Sequence, residues 1–527
     1  MTTIPPYDPE PVRRWHDAEV RNRFAEAVAH QDRNTRRLEV PVIIDGAIHH
    51  TTETITSIDP GDPERIIATS AAADVPLADT AVETALSAFL TWSRVPATER
   101  AAVLIRAAAW LRDRRDEIAA LEVFEAGKPW PEADADVCEA IDFCEYYARE
   151  AIRLAGGADV QSPLGEANAM TYQARGVAAV ITPWNFPLAI PMGMVSSAIV
   201  TGNTVCFKPA EQTPAIAAKL VQAFVAAGLP AGVLSFVPGH GEVVGAHLVT
   251  HPDVATVSFT GSREVGLGIN RSAAEGGPGH RHIKRVIAEL GGKNPVVVDE
   301  DADLDEAVPA IAYSAFGFAG QKCSATSRLI VHTARYEELL ERLVAHAELL
   351  EVGHPRNGAV TVGPVIDADA HQRLMTVVDN PGGRVRYRHE DIPDSGFFVP
   401  PTIVDDVPFD SPLWCDEQFG PILAVAAADD IDHAFRLAND TPYALTAGLF
   451  SRSPAVIDRA GELQAGNIYI NRGTTGAIVG RQPFGGMLQS GMGGKAGGPD
   501  TLRLLCDAKV TTENTMRQGF AADLVTG

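Results

Sequence analysis

From Val177 onward the chain alternates short, continuous apolar runs with stretches of helical spacing, and this rhythm limits the fold more than any single motif does. Residues 177–181, 204–207, 233–237 and 256–260 read as buried strands with helices between them. Thr213-Pro214 opens one helix, with Thr213 as N-cap and Pro214 at the first helical position. Gly228-Leu229-Pro230 stops it, residues 241–249 read as the next helix, and Gly261-Ser262 opens a third. Such a βαβα series predicts an α/β protein whose parallel sheet is covered on both faces. After Glu289-Leu290-Gly291-Gly292 the alternation resumes with a strand at 295–298, a helix from an Asp303 cap to about Phe316, and a strand at 328–331, continuing to about Leu449. The interruption near residue 290 predicts two α/β domains.

The segment before this series is different. Residues 1–40 are polar and charged, which suits an arm or short helices lying over the surface. Helical signals dominate residues 76–154, as in the apolar series Ala101, Leu104, Ile105, Ala108 and Leu111. A chain of 527 residues is long enough for two to four domains with large cores. Its net charge of −24 opposes binding to nucleic acid or to an anionic membrane face. Residues 1–12 carry Pro5, Pro6 and Pro9 and no apolar signal region, and the longest apolar region, 177–207, is broken by Pro183, Pro187, Pro191 and Gly202. A soluble cytoplasmic protein is expected. The six cysteines (Cys138, Cys144, Cys206, Cys323, Cys415, Cys506) form no CxxC pair, so neither a disulfide framework nor a metal site is expected. Reduced, buried thiols are the plain reading, with room for one to be reactive.

Four motifs carry candidate chemistry. In Gly320-Gln321-Lys322-Cys323-Ser324 a cysteine adjoins a lysine, which lowers a thiol pKa if the ammonium lies near the sulfur. In Glu289-Leu290-Gly291-Gly292-Lys293 a carboxylate ends the apolar strand Val286-Ile287-Ala288, where burial would raise its pKa and suit it to general-base work. Pro183-Trp184-Asn185-Phe186-Pro187 follows a buried strand, the place where open α/β sheets bind ligands, and its Asn185 amide could stabilise an oxyanion. No GxGxxG follows any strand; instead Thr260-Gly261-Ser262 opens a helix, with Gly266 beyond, and offers backbone N–H groups and a hydroxyl to a phosphate. Lys208 and Glu211, after the strand at 204–207, could hold the two hydroxyls of a ribose. Taken singly, each has an ordinary structural alternative: a buried cysteine, a solvated carboxylate, a turn asparagine, a helix cap and a charged surface loop.

Their order and spacing are more specific. PWNFP, KPAEQTP, FTGSREVG, ELGGKNP, FGFAGQKCSATSR and EQFGP occur in sequence between about residues 40 and 515, and Glu289 and Cys323 lie 34 residues apart. The chain thereby resembles the aldehyde dehydrogenase superfamily. Within it, EAGKPW followed by EADAD and EAIDFCEYYARE, then SAFGFAGQKCSA and NRGTTGAIVG with QPFGG and KAGGPD, is most similar to the subfamily that oxidises L-glutamate γ-semialdehyde, the open form of 1-pyrroline-5-carboxylate.

The resemblance implies an aldehyde dehydrogenase fold: a Rossmann-like NAD-binding domain over residues 1–158 and 176–290, a catalytic domain over 291–490, and a small β oligomerisation flap from 159–175 and 491–527. It implies Cys323 as nucleophile, Asn185 as oxyanion donor beside the Cys323 backbone N–H, and Glu289 as general base. The cofactor residues implied are Trp184, Lys208, Glu211, Gly261, Ser262, Gly266, Leu290, Glu417 and Phe419. Glu211 departs from the serine common in the subfamily, and its carboxylate favours NAD over NADP by repelling a 2′-phosphate. Gly476 and Ala477 are implied to grip the substrate carboxylate through backbone amides, helped by Ser324, with Phe186 and Phe484 as aromatic walls and Lys322 as a further source of positive potential. A homodimer or dimer-based oligomer and a proline dehydrogenase partner are implied as well. The alternatives are another semialdehyde dehydrogenase, such as one for succinic semialdehyde, or a catalytically silent homologue, which would have lost Cys323 or Glu289.

Overall fold

The computed structural model describes residues 5–34, 36–277 and 279–516; the tips of the expected arm and of the expected C-terminal flap segment, 1–4 and 517–527, lie outside them. The first predicted strand, Val177–Ile181, lies inside an eight-stranded sheet, with Thr204–Lys208 and Leu234–Phe236 on one side and Val254–Thr260 and Arg285–Glu289 on the other, all parallel. The chain thus winds outward from Val177–Ile181 in one direction, returns, and winds out in the other. That reversal opens a crevice at the carboxyl ends of the strands, where ligands bind in such sheets. Thr182-Pro183-Trp184, Lys208, Gly261-Ser262 and Leu290 all follow directly from those ends. Antiparallel strands finish both edges, Val42–Ile44 with Ala47–His49 at one and Gly491–Met492 at the other.

The strands are apolar throughout because both faces are covered. Helices Ala97–Asp113, Trp130–Leu154, Ala189–Val200 and Pro214–Ala226 pack one face, and Val75–Trp92, Ala246–Thr250 and Arg263–Ala274 pack the other. Thr213 stands at the N-cap of Pro214–Ala226 as expected, but its hydroxyl makes no cap bond. The cap comes from Glu125, whose buried carboxylate accepts the N–H groups of Ala215 at 2.9 Å and Ile216 at 2.8 Å and the Ser57 hydroxyl at 3.1 Å. A charged acceptor satisfies two of the orphan donors at once, which leaves the threonine nothing to do.

The linker Leu290-Gly291-Gly292-Lys293 carries the chain from the end of Arg285–Glu289 into Asn294–Val298, a strand of a separate seven-stranded sheet. This brings the carboxyl ends of the first sheet against the amino ends of the second. The second sheet has its own core, with Phe316, Leu329, Val365, Trp414 and Leu423 all buried. A third, smaller unit is the antiparallel ribbon of Glu166–Ala174 and Cys506–Asn514, whose residues are paired from Ala174↔Cys506 to Glu166↔Asn514. Beyond Cys506 the second strand of this ribbon is exposed along its whole length. Among the described residues no helix is long and apolar enough to cross a membrane.

Candidate active site

Cys323 follows a turn in which Phe318 and Ala319 (both φ 53°) and Gly320 (φ 67°) are left-handed in succession. Two consecutive non-glycine residues in that region are costly and persist only where the surroundings hold them. A Cβ at Gly320 would lie 2.4 Å from the Gly420 carbonyl oxygen, so only glycine fits there. Gln321 clamps the turn, its amide donating to Pro364 O at 3.2 Å and accepting the Ile366 N–H at 2.9 Å. Asn294 Nδ2 holds the next stretch through the Cys323 and Ala325 carbonyls, at 2.7 and 2.8 Å. Asn185 Nδ2 donates to Gln321 O at 3.1 Å, so the expected oxyanion donor is anchored two residues from the thiol.

The surroundings of Cys323 are acidic. Burial pushes the thiol pKa well up, and the Glu289, Glu417 and Glu139 carboxylates push it further, against one opposing hydrogen bond from the Ser324 backbone. Burial raises Glu289 to about 8, with Lys495 pulling the other way. Glu139 is raised to about 8 by burial and by Asp136. Glu139 was not singled out from the sequence, nor was Asn294. Their only signal was membership of EAIDFCEYYARE and ELGGKNP, since neither motif says which way a side chain points.

Lys322 does not supply the expected positive potential. Its ammonium is buried and donates to Glu132 Oε1 at 2.6 Å, while the groups that most affect the Cys323 thiol are burial and the carboxylates. Adjacent residues in this tight turn face different ways, which explains the difference.

The expected cofactor residues line the crevice. Lys208 Nζ donates to Glu211 Oε1 at 2.7 Å, and the same oxygen accepts the Gly241 N–H at 2.7 Å. Ser262 caps Arg263–Ala274 through the Val265 N–H, at 3.4 Å. Gly266 makes room for Leu290: a Cβ there would meet Leu290 Cδ2 at 2.3 Å, and the leucine side chain is core. Glu417 Oε1 accepts the Gly292 N–H at 2.9 Å, and a Cβ on Gly291 would fall 1.9 Å from Glu417 Oε2. Burial raises Glu417 to about 7. The rings of Trp184 and Phe419 meet edge to face, with centroids 5.6 Å apart. A cation–carboxylate pair for a ribose, a helix N-terminus for a diphosphate and an aromatic pair suit a nicotinamide dinucleotide.

At the far side, Thr474 Oγ1 donates to Ser324 O at 2.9 Å and ties the loop of Gly476 and Ala477 to the cysteine turn. Gly476 is left-handed (φ 78°) and exposed. Arg472 Nη2 donates to the Thr475 and Gly476 carbonyls, both at 3.3 Å. Phe186 lies under the buried Lys128 ammonium, 4.2 Å from its ring centroid, and Phe484 exchanges both backbone bonds with Ala496.

Away from the site, Asp79, His247 and His251 bring three donor atoms within 4.8 Å of one another. His251 Nδ1 accepts the Asp253 N–H at 3.2 Å, so the neutral ring carries its proton on Nε2, 3.5 Å from Asp79 Oδ1. A metal on Nε2 would need the opposite tautomer, and the trio reads as a hydrogen-bonded cluster.

The chain belongs to the aldehyde dehydrogenase family, whose pattern it matches over residues 48–511. It is 46% identical over 510 residues to the 1-pyrroline-5-carboxylate dehydrogenase of Bacillus subtilis (strain 168), covering 96% of this chain and 99% of that one. Among solved structures it is similar to the Thermus 1-pyrroline-5-carboxylate dehydrogenase with bound NAD, at a TM-score of 0.95 and 41% identity over 98% of this chain and 100% of that one. It is also similar to proline utilization A from Bdellovibrio bacteriovorus, at a TM-score of 0.96 and 43% identity over 99% of this chain, and spans 55% of that longer protein.

Proposed function

We propose that this enzyme oxidises L-glutamate γ-semialdehyde to L-glutamate with NAD, the second step of proline catabolism. The observation that carries this reading is one crevice in which the Cys323 turn, the Asn185 amide, the Glu289 carboxyl and the Gly476-Ala477 loop converge. The names of the relatives point the same way.

In this reading the Cys323 thiol gives its proton to solvent water, and the thiolate bonds the aldehyde carbon as its C=O π bond opens to an oxyanion. The Asn185 Nδ2 and Cys323 N–H groups hold the resulting oxyanion. A bound nicotinamide supplies the hydride acceptor, and a thioester on Cys323 remains. Glu289 takes a proton from water, the hydroxide adds to the thioester, and the C–S bond breaks to return the thiolate. Backbone N–H groups at Gly476 and Ala477 take the substrate α-carboxylate. Lys208 and Glu211 hold the adenosine ribose, with Glu211 favouring NAD over NADP, and Trp184, Phe419 and Glu417 position the nicotinamide end.

In the same reading residues 1–158 and 176–290 are the cofactor domain and 291–490 the catalytic domain. Within segments 159–175 and 491–527, the ribbon of Glu166–Ala174 and Cys506–Asn514 serves as the oligomerisation flap of a homodimer or dimer-based assembly. A proline dehydrogenase is the partner that would supply the cyclic precursor, in keeping with the likeness to proline utilization A. The test is NADH formation with glutamate γ-semialdehyde against succinic semialdehyde, acetaldehyde and propanal at matched concentrations. The first should be oxidised with the highest kcat/KM; a preference for succinic semialdehyde refutes the reading.

A further inference from the structure

The N-terminal arm reaches the loop of Gly476 and Ala477. Its residues run along one face of the helix Trp130–Leu154. Arg13 N–H donates to Asp134 at 3.1 Å, Glu10 N–H donates to Asp142 at 2.6 Å, and Pro5 O accepts from Arg149 at 2.8 Å. These partners recur at seven- to eight-residue steps, two helical turns each, so a single helical stripe grips the arm. The opposite stripe of the same helix, Glu132, Asp136 and Glu139, faces the catalytic crevice and the ion pairs behind it.

Between these grips Tyr7 leaves the helix and meets the loop. Its hydroxyl donates to Val479 O at 3.1 Å, a contact between residues 472 positions apart. Its ring packs edge to face on Tyr146, with centroids 5.3 Å apart. A Cβ at Gly480 would lie 2.9 Å from Tyr7 Cε1 and 3.2 Å from Tyr146 Cδ2, so glycine lets both rings close on the backbone there. Burial and Asp142 push the Tyr7 phenol up, which keeps it a protonated donor. Val479 is buried in the core of the first sheet, and Gly480 N–H donates to Gly497 O at 2.9 Å. The loop is therefore held at Val479 and Gly480 on one side and by Arg472 on the other. Gly476 between them is exposed and, with φ 78°, has no conformational restraint from a side chain of its own.

We propose that Tyr7 is a positioning residue that sets the Gly476-Ala477 loop for the substrate's α-carboxylate, which makes the N-terminal arm part of substrate specificity. The proposal rests on the substrate reading above. Two backbone N–H groups bind a carboxylate well only when both point at it, so a peg on Val479 acts on substrate binding and not on chemistry at the aldehyde.

Full-length Tyr7→Phe and Tyr7→Ala variants are assayed with glutamate γ-semialdehyde and with propanal, which has no carboxylate, and glutamate binding is measured by calorimetry. Tyr7→Ala should raise KM for glutamate γ-semialdehyde and Kd for glutamate about tenfold at unchanged kcat, and Tyr7→Phe about threefold, as one hydrogen bond is lost. In both variants kcat/KM for propanal should stay within about twofold of wild type, since the loop does not touch that substrate. An unchanged KM for the semialdehyde, or equal losses with both aldehydes, overturns the proposal. If Tyr7→Ala does not fold, Tyr7→Phe decides by the same criteria. Wild-type enzyme that oxidises propanal but not glutamate γ-semialdehyde refutes the substrate reading itself, and the proposal falls with it.

Discussion

Lys322 Nζ donates to Glu132 Oε1 at 2.6 Å, and the Tyr313 hydroxyl donates to the same oxygen at 2.5 Å. Burial alone would push the Glu132 carboxyl up, but Lys322 and Tyr313 outweigh it and hold the carboxyl below its ordinary range. A carboxyl depressed by folding adds stability above its unfolded pKa, and that stability is lost as pH falls through the folded value. Lys322→Met leaves the buried Glu132 with the Tyr313 hydroxyl but without its paired cation, so stability should fall by about 3–5 kcal/mol, read as a lower Tm. The pH midpoint for iodoacetamide alkylation of Cys323 should not move, since this ammonium is engaged by Glu132. A rise of that midpoint in the variant would show that Lys322 activates Cys323 after all.

The base should set the pH profile. Glu289 is raised to about 8 by burial, and a protonated carboxyl cannot take a proton from water, so turnover limited by thioester hydrolysis should climb with pH and level off above about 8. Lys495 is the one group drawing that value down. Lys495→Met should move the rising limb to higher pH and lower kcat at pH 7 while leaving the plateau. Glu289→Gln should release one equivalent of NADH in a burst and then turn over about 10²–10⁴ times more slowly, the usual worth of a general base. A profile flat between pH 6 and 9 in the wild type contradicts this assignment.

Local pattern carried the sheets but not the contacts between them. The runs at 177–181 and 204–207 appear as parallel neighbours because buried strands are apolar on both faces whatever surrounds them. The cap of Pro214–Ala226 was legible as a helix start but not as to its acceptor, because Glu125 lies about ninety residues earlier and only the fold brings it there. Family motifs located Cys323, Glu289 and Asn185 by number. They could not tell that Lys322 turns away from the thiol while Glu139 turns toward it, since that depends on the left-handed turn at Phe318 and Ala319 and on which stripe of a long helix faces the crevice. Tyr7 was legible only as one residue of a polar arm, and its bond to Val479 has no sequence signal.

Asn185 Nδ2 has one N–H engaged on Gln321 O, which orients the amide, and the second N–H available to an oxyanion beside Cys323. Removing one such donor costs about 10²–10³ in rate. Asn185→Ala should therefore lower kcat for NADH formation by about that factor with little change in KM. The acylation burst should slow in parallel, because the oxyanion forms before hydride transfer. A variant in which only the hydrolytic step slows would remove Asn185 from the oxyanion role.

In the proposed reading Glu211 governs which dinucleotide fits. Its Oε1 holds both Lys208 Nζ and the Gly241 N–H at 2.7 Å, so the carboxylate is fixed beside the position proposed for the ribose hydroxyls. A 2′-phosphate brought there meets a fixed negative charge, while the Lys208 ammonium beside it is already paired. Glu211→Ser removes that charge and frees the buried Lys208 ammonium, whose own pKa burial already lowers, to bind a phosphate instead. The ratio of kcat/KM for NAD to that for NADP should fall about tenfold or more, partly from gain with NADP and partly from loss of the ribose acceptor for NAD, since a charged hydrogen bond is worth about 1.5–3 kcal/mol. Steady-state assays with both cofactors at saturating aldehyde check it. An unchanged ratio would mean that discrimination arises elsewhere in the crevice, and Glu211 would then be a cap for the Gly241 backbone and nothing more.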